Sequence, residues 1–323
     1  MSIPQMQYTI GRCQSLDCYK KWSEKEGLPI HVEEIEGEDA RLLWVGEKRT
    51  DRVIFLHGGG YALPLAEFSL SFWRHVQTQL GEKGLEIDVV VLNYGGSYST
   101  FTYSPAGSYF TGLIPDAPFP TPLRQAVCGL QLLINNGVKP NTIQLVGDSA
   151  GGNLILQLFS HLLHPLPGVP NITHDNLHFK GACLLSPWVS FRDDDGTHAL
   201  RESTDLIKVR SILEFGDYVL QDVPQQQECY VELLKTPDSW WARLDSKVER
   251  MLLVAGSDEC FKEDIVKISG NIRKYHTDAV LLIQQYGVYV ELYVDFLVGE
   301  KRLQTVTGDI VEWLVAGFSG STN

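Results

Sequence analysis

Ser149 lies in the stretch GDSAGGN at 147–153, where Gly147 and Gly151 bracket it in the pattern G-x-S-x-G. A serine in that setting does acyl chemistry when the chain turns sharply from a strand into a helix. The turn lifts Oγ into a cleft, and the helix start supplies free N–H groups and a partial positive charge. The flanks fit: TIQLVGD at 142–148 reads as an apolar strand, and GGNLILQLFSHLLH at 151–164 spaces its apolar residues by three and four. The N–H of Ala150 would face an oxyanion developing on a bound carbonyl. A second turn, His57-Gly58-Gly59-Gly60, follows RVIFL directly and would aim more backbone N–H groups into the same cleft.

Holding these turns in place requires a mainly parallel sheet. Besides the strand before Ser149, strand patterns occur at ARLLWVG (40–46), RVIFLHG (52–58), DVVVLNY (88–94), KGACLLSPW (180–188), RMLLVAGSD (250–258) and AVLLIQQY (279–286). Amphipathic stretches alternate with them, including FSLSFWRHVQTQLG, PLRQAVCGLQLLINNG, FKEDIVKISGNIRKYH and TGDIVEWLVAGF, so right-handed βαβ crossovers are expected. Two regions break the rhythm. Residues 95–118 form a Gly-, Ser- and aromatic-rich segment too long for an ordinary loop, and 189–247 carry helical patterns with a bulky SWW at 239–241. The reading is an α/β core over 40–188 and 248–323, a twisted parallel sheet flanked by helices. A helical cap inserted at 189–247 and an N-terminal cap segment at 1–39 would lie over the sheet's carboxyl edge, where open α/β sheets bind ligands.

The 323 residues carry a formal charge of −13, with no clustered Lys/Arg to meet a polyanion, which argues against nucleic acid as a partner. No segment reaches the roughly 18 consecutive apolar residues of a membrane span, and the N-terminus lacks a basic stretch followed by an apolar core. A soluble cytoplasmic protein, with a homodimer as its candidate assembly, is the expectation. The six cysteines, at 13, 18, 128, 183, 229 and 260, have no metal spacing and read as free thiols. No metal or cofactor is called for.

HGGGY at 57–61, GDSAGGN, SPW at 186–188 and PDAPFPTPL at 115–123 together resemble the hormone-sensitive-lipase branch of the α/β-hydrolase fold, in particular fungal esterase-like members of natural-product pathways. The resemblance runs from about residue 40 to the C-terminus. It implies Ser149 as nucleophile, Gly58, Gly59 and Ala150 as oxyanion donors, and Asp258 of VAGSD as the triad acid. Asp258 also fits the fold's order of serine, acid, histidine, since it ends an apolar strand after the cap.

The histidine that should follow is absent. The expected turn reads Tyr286-Gly287-Val288-Tyr289-Val290-Glu291, which puts Tyr289 or Val290 in its place depending on how the turn is counted. None of the nine histidines, at 31, 57, 75, 161, 164, 174, 178, 198 and 276, falls in it. His198, in the cap, is the one with a route down to the site; His57 belongs to the glycine turn, and His276 ends a helix at the far edge of the sheet. A phenol with an ordinary pKa near 10 is a poor acceptor of a serine proton. Loss of the base costs about 10⁴ to 10⁶ in rate and leaves roughly 10³ to 10⁴ over water.

A site that keeps its oxyanion donors and loses its base is suited to polarising a carbonyl. The sequence therefore points to a non-hydrolytic step, cyclisation, condensation or pericyclic closure, on a hydrophobic carbonyl-containing intermediate of secondary metabolism, with Tyr289 as hydrogen-bond donor. A carboxylesterase or deacetylase with a substituted base is the alternative, and a catalytically silent small-molecule binder the second. The walls of the apolar pocket are expected from Tyr61, from Tyr98, Phe101, Tyr103, Tyr109 and Phe110 of the long loop, and from Phe215, Tyr218, Trp240 and Trp241 of the cap.

Overall fold

Aliphatic and β-branched runs without polar alternation can be satisfied only in a sheet covered on both faces, and helices supply that cover. The computed structural model describes residues 14–48, 51–95 and 117–319. Its eight-stranded sheet runs β1 (Ile30–Glu34), β2 (Arg41–Val45), β4 (Ile87–Asn93), β3 (Asp51–Leu56), β5 (Ile143–Asp148), β6 (Gly181–Leu185), β7 (Met251–Gly256) and β8 (Ala279–Gln284). β1 and β2 are antiparallel to their neighbours, and the pairs from β4 to β8 are parallel. This is the α/β-hydrolase architecture. Seven of these strands lie on the expected apolar runs.

Neighbouring residues of one strand feed opposite layers, as the two-residue period requires. Leu42 and Trp44 face a cluster with α3 (Thr121–Asn135), α4 (Ala150–Leu163) and α6 (Lys262–Arg273). Leu43 and Val45 face the other layer, with α2 (Glu67–Glu82) and α8 (Thr305–Ser319).

The N-terminal segment departs from its expected role as a cap. Residues 30–34 are an edge strand paired to β2, and α1 (Ser15–Lys25) packs beside α2, with the Trp22 indole N–H donating to Ser71 Oγ at 2.9 Å and the Tyr19 hydroxyl to the Trp44 carbonyl at 2.7 Å. IHVEE lacks the apolar run of the other strands because an edge strand carries charge and is only half-buried. The 189–247 insertion divides. Its helix α5 (Val209–Leu220) covers the carboxyl edge of the sheet, whereas Trp241 and Leu244 are fully buried in the core beside α4. The lower part is pinned by Asn153 of α4, whose Nδ2 donates to the carbonyls of Trp188 and Val231 at 2.8 and 2.9 Å.

The elbow depends on how closely α4 meets the sheet. A Cβ on Gly151 would stand 1.7 Å from the Leu56 carbonyl oxygen, and one on Gly147 would stand 2.7 Å from the Gly151 carbonyl. Gly151→Ala therefore forces β3 and α4 apart, and thermal unfolding should show a loss of at least about 2 kcal/mol. Gly270→Ala, exposed on α6 with nothing near its Cβ position, should instead be neutral or stabilising by up to about 1 kcal/mol. Equal effects of the two substitutions would contradict this packing.

Candidate active site

The close approach of strand and helix forces Ser149 to φ 49°, ψ −117°, a left-handed conformation that costs an L-residue about 1–3 kcal/mol. Three hydrogen bonds hold it there: Ser149 N–H to the Leu185 carbonyl at 2.9 Å, and Trp188 and Asn153 N–H to the Ser149 carbonyl, both at 3.0 Å. Ala150 begins α4, so its N–H is among those that a helix cannot satisfy internally.

The glycine turn passes close by, but its first donor is occupied. Gly58 N–H donates to Asp148 Oδ1 at 3.0 Å, and a Cβ on Gly58 would meet Asp148 Oδ2 at 2.1 Å. Gly58 therefore holds the turn against the elbow instead of serving as an oxyanion donor. Gly59 and Gly60, with φ of +107° and +61°, continue along the cavity wall. The Asp148 carboxyl also accepts from the Tyr293 hydroxyl at 3.3 Å, and burial pushes its pKa up to about 7.

Tyr289 reaches the nucleophile. Its phenol lines the same cavity as Ser149 and stands beside that side chain, and burial first, then the charge of Asp148, raises its pKa well above the usual range for tyrosine. It follows β8 in a turn that ends at Val290, whose φ of 41° is rare for a β-branched residue. From there the chain enters α7 (Glu291–Val298), a helix that the apolar run ELYVDFLV did not announce. The position filled by Val290 in the other count of the turn is the helix start, and its N–H donates to Ser186 Oγ at 3.3 Å.

Asp258, the expected acid, and its neighbour Glu259 are placed differently. Asp258 is half-buried, its N–H bonded to the Gly287 carbonyl at 2.8 Å. The buried carboxylate of that turn belongs to Glu259, whose Oε2 accepts from Ser186 Oγ at 2.6 Å and Gly256 N–H at 2.8 Å, while Oε1 has no partner among the described residues. Burial pushes its pKa up to about 8. Asp148, Glu259 and Asp205 are the carboxylates whose charge reaches the Tyr289 phenol. Successive acids at a strand end point to different sides, and order along the chain cannot choose between them.

No histidine stands in for the base. His198 Nε2 lies 2.8 Å from Asp264 Oδ2 in a buried pair, and His276 Nε2 lies 2.9 Å from the Val248 carbonyl. His57 borders the cavity, but its Nδ1 is 2.7 Å from the Gly58 carbonyl, its ring stacks on Tyr94, and burial lowers its pKa to about 4. So weak a base takes little from a serine hydroxyl.

Above Ser149 lies a mainly apolar cavity of about 230 Å³. Of the aromatic residues expected around it, Phe215 of α5 is on its wall, against Gly60. Tyr61 lies beneath, its hydroxyl donating to Asn153 Oδ1 at 2.9 Å. Tyr218 is half-buried on α5, away from the lining. Trp240 stacks on His164 and donates to Ser160 Oγ at 3.0 Å, and Trp241 is fully buried. Ser160 is eleven residues along α4 from Ser149, roughly 16 Å at 1.5 Å per residue, which puts both tryptophans far from the reacting end. Tyr98, Phe101, Tyr103, Tyr109 and Phe110 lie outside the described residues. Trp188 of the SPW motif, Phe261, Tyr293 and Leu297 also line it. Among the described residues no cluster of three His, Cys, Asp or Glu could hold a metal ion, and no helix is long and apolar enough to cross a membrane.

The model of the steryl acetyl hydrolase family matches residues 40–313. The chain belongs to that family. An acetyl-hydrolase of Streptomyces hygroscopicus is 27% identical over 169 residues, covering 51% of this chain and 45% of its own length. An esterase of Acinetobacter venetianus is 23% identical over 197 residues, covering 60% and 54%. The chain thus matches about half the length of these curated relatives. Among solved structures, an esterase of the bacterial hormone-sensitive lipase family superposes with a TM-score of 0.67 at 20% identity, over 98% of this chain and 99% of that one. A hormone-sensitive lipase from a metagenome library gives 0.66 at 15%, over 99% and 97%. At that identity the likeness establishes the α/β-hydrolase fold.

Two buried acids with raised pKa values set a pH dependence. Their folded states hold protons that the unfolded chain releases near pH 4, so this contribution to stability is complete below that pH. It is lost as pH rises through about 7 for Asp148 and about 8 for Glu259. The thermal midpoint should fall from pH 5 to pH 9, and Glu259→Gln, which keeps the acceptor for Ser186 and Gly256, should flatten the slope. An unchanged slope in that variant would contradict the assignment.

Proposed function

We propose that the protein is an acyl-ester hydrolase of the acetyl-hydrolase type, slow because Tyr289 stands where the base should be. Ser149 would attack the ester carbonyl, with the N–H groups of Ala150 and Gly59 receiving the oxyanion. The observation that carries this reading is the strained Ser149 at the start of α4, facing an apolar cavity. Family membership supports it. The lining suits a short acyl group, and the partly exposed Leu206 and Leu297 at the cavity wall suit an apolar alcohol that extends outward.

The chemistry that remains follows from the phenol. Protonated at neutral pH, it can share a hydrogen bond with Ser149 but cannot take its proton, so that proton must leave to water or hydroxide. Glu259, with its unpartnered Oε1 near the Tyr289 turn, is placed to orient an imidazole at position 289. Tyr289→His should raise kcat/KM for p-nitrophenyl acetate by at least about 10²-fold. Adding Ser149→Ala should return it to background, and adding Glu259→Gln should remove most of the gain. No gain from Tyr289→His would count against the hydrolase reading.

The Tyr289 phenol beside Ser149 also favours a second use of the site, in which phenol and backbone N–H groups polarise a carbonyl for cyclisation or condensation without an acyl-enzyme. Intact-mass analysis after incubation with an activated acetyl ester separates the two. An acetyl adduct on Ser149 supports the hydrolase, whereas turnover that survives Ser149→Ala supports the second use.

A further inference from the structure

The buried carboxylate of Asp205 receives three backbone N–H groups from three parts of the chain. Oδ1 accepts from Leu206 at 2.7 Å and from Tyr289 at 2.9 Å, and Oδ2 accepts from Cys260 at 2.7 Å. Leu206 opens the segment leading into α5, where it and Ile207 form a wall of the cavity. Cys260 sits between Glu259 and Phe261, another wall. Tyr289 carries the phenol on Ser149. Two of these bonds join residues more than fifty positions apart, so no local turn preference accounts for them. A buried N–H deprived of its acceptor costs its full desolvation, and bonds to an ionised acceptor are stronger than neutral ones. The turn has other ties, the chain from Glu259 through Ser186 to the Val290 N–H, the Tyr286 N–H to Ser257 Oγ at 2.7 Å and the Asp258 N–H to the Gly287 carbonyl at 2.8 Å, and all of these run to the neighbouring strand ends and not to the covering segment.

We propose that Asp205 is a positioning residue: it fixes residue 289 against Ser149 and makes that placement depend on the covering segment being seated over the cavity. The kinetic part of its test rests on the hydrolase reading, and the structural part does not. Asp205→Asn keeps size but turns an amide donor toward an N–H donor. Glu232→Gln is the control, because Glu232 anchors the same insertion through the Phe191 N–H at 2.7 Å and Ser190 Oγ at 3.0 Å without touching the Tyr289 turn.

Backbone amide exchange of peptides spanning 258–262 and 286–292 should accelerate at least about tenfold in Asp205→Asn and remain unchanged in Glu232→Gln. In the Tyr289→His background, Asp205→Asn should lower kcat for p-nitrophenyl acetate by about ten- to a hundredfold while KM changes less than about threefold, and Glu232→Gln should leave kcat in place. If Asn proves unstable, Asp205→Ser, which retains one acceptor, is read in the same way. Unchanged exchange at 286–292, or an equal fall of kcat in Glu232→Gln, overturns the proposal. If Tyr289→His is itself inactive, the hydrolase reading fails, and the exchange result still decides whether Asp205 holds the turn.

Discussion

The carbonyl of Leu56 occupies the space that any side chain at position 151 would need, and the site is arranged around that contact. Because α4 meets the sheet so closely, the turn before it has no relaxed path, and Ser149 takes a positive φ that its three backbone hydrogen bonds maintain. The same closeness brings the glycine turn after β3 against Asp148 and leaves the N–H of Ala150 unsatisfied within the helix. A strained serine beside open donors is the result.

Carboxylates then fasten the remaining loops to this elbow. Asp148 holds the glycine turn and Tyr293, Glu259 holds Ser186 and the end of β7, and Asp205 joins the covering segment to the turns at 260 and 289. For Asp148 and Glu259, burial favours the protonated form, which limits the charge gathered around the phenol near neutral pH. The arrangement holds the Tyr289 phenol beside the strained serine.

Much of this was legible in the residues. Apolar runs announced seven strands, and two glycine-rich motifs located the elbow and its neighbour, because sterics leave those positions few alternatives. The order of motifs left Tyr289 and Val290 as alternatives beside Ser149, and the path of the turn brings the Tyr289 phenol to it. What escaped were features that depend on which way one residue points. Glu259 and Asp258 are chemically alike and adjacent, and the path of the turn separates the buried carboxyl from the half-buried one. The commitment of Gly58 to Asp148, the start of α7 at a left-handed Val290, and the path of 239–241 down the length of α4 are tertiary results with no local signature. Aromatic content alone could not distinguish a pocket wall such as Phe215 from a buried support such as Trp241.

On the proposed function, Tyr289 stands beside the nucleophile without activating it. The rate at which an organophosphate such as paraoxon labels Ser149 measures that activation directly, without a need to know the substrate. Wild type and Tyr289→Phe should label at rates within about tenfold of each other, and Tyr289→His should exceed both by about 10² or more. A fall of about 10² or more on going from wild type to Tyr289→Phe would show the phenol acting as the base and contradict the account.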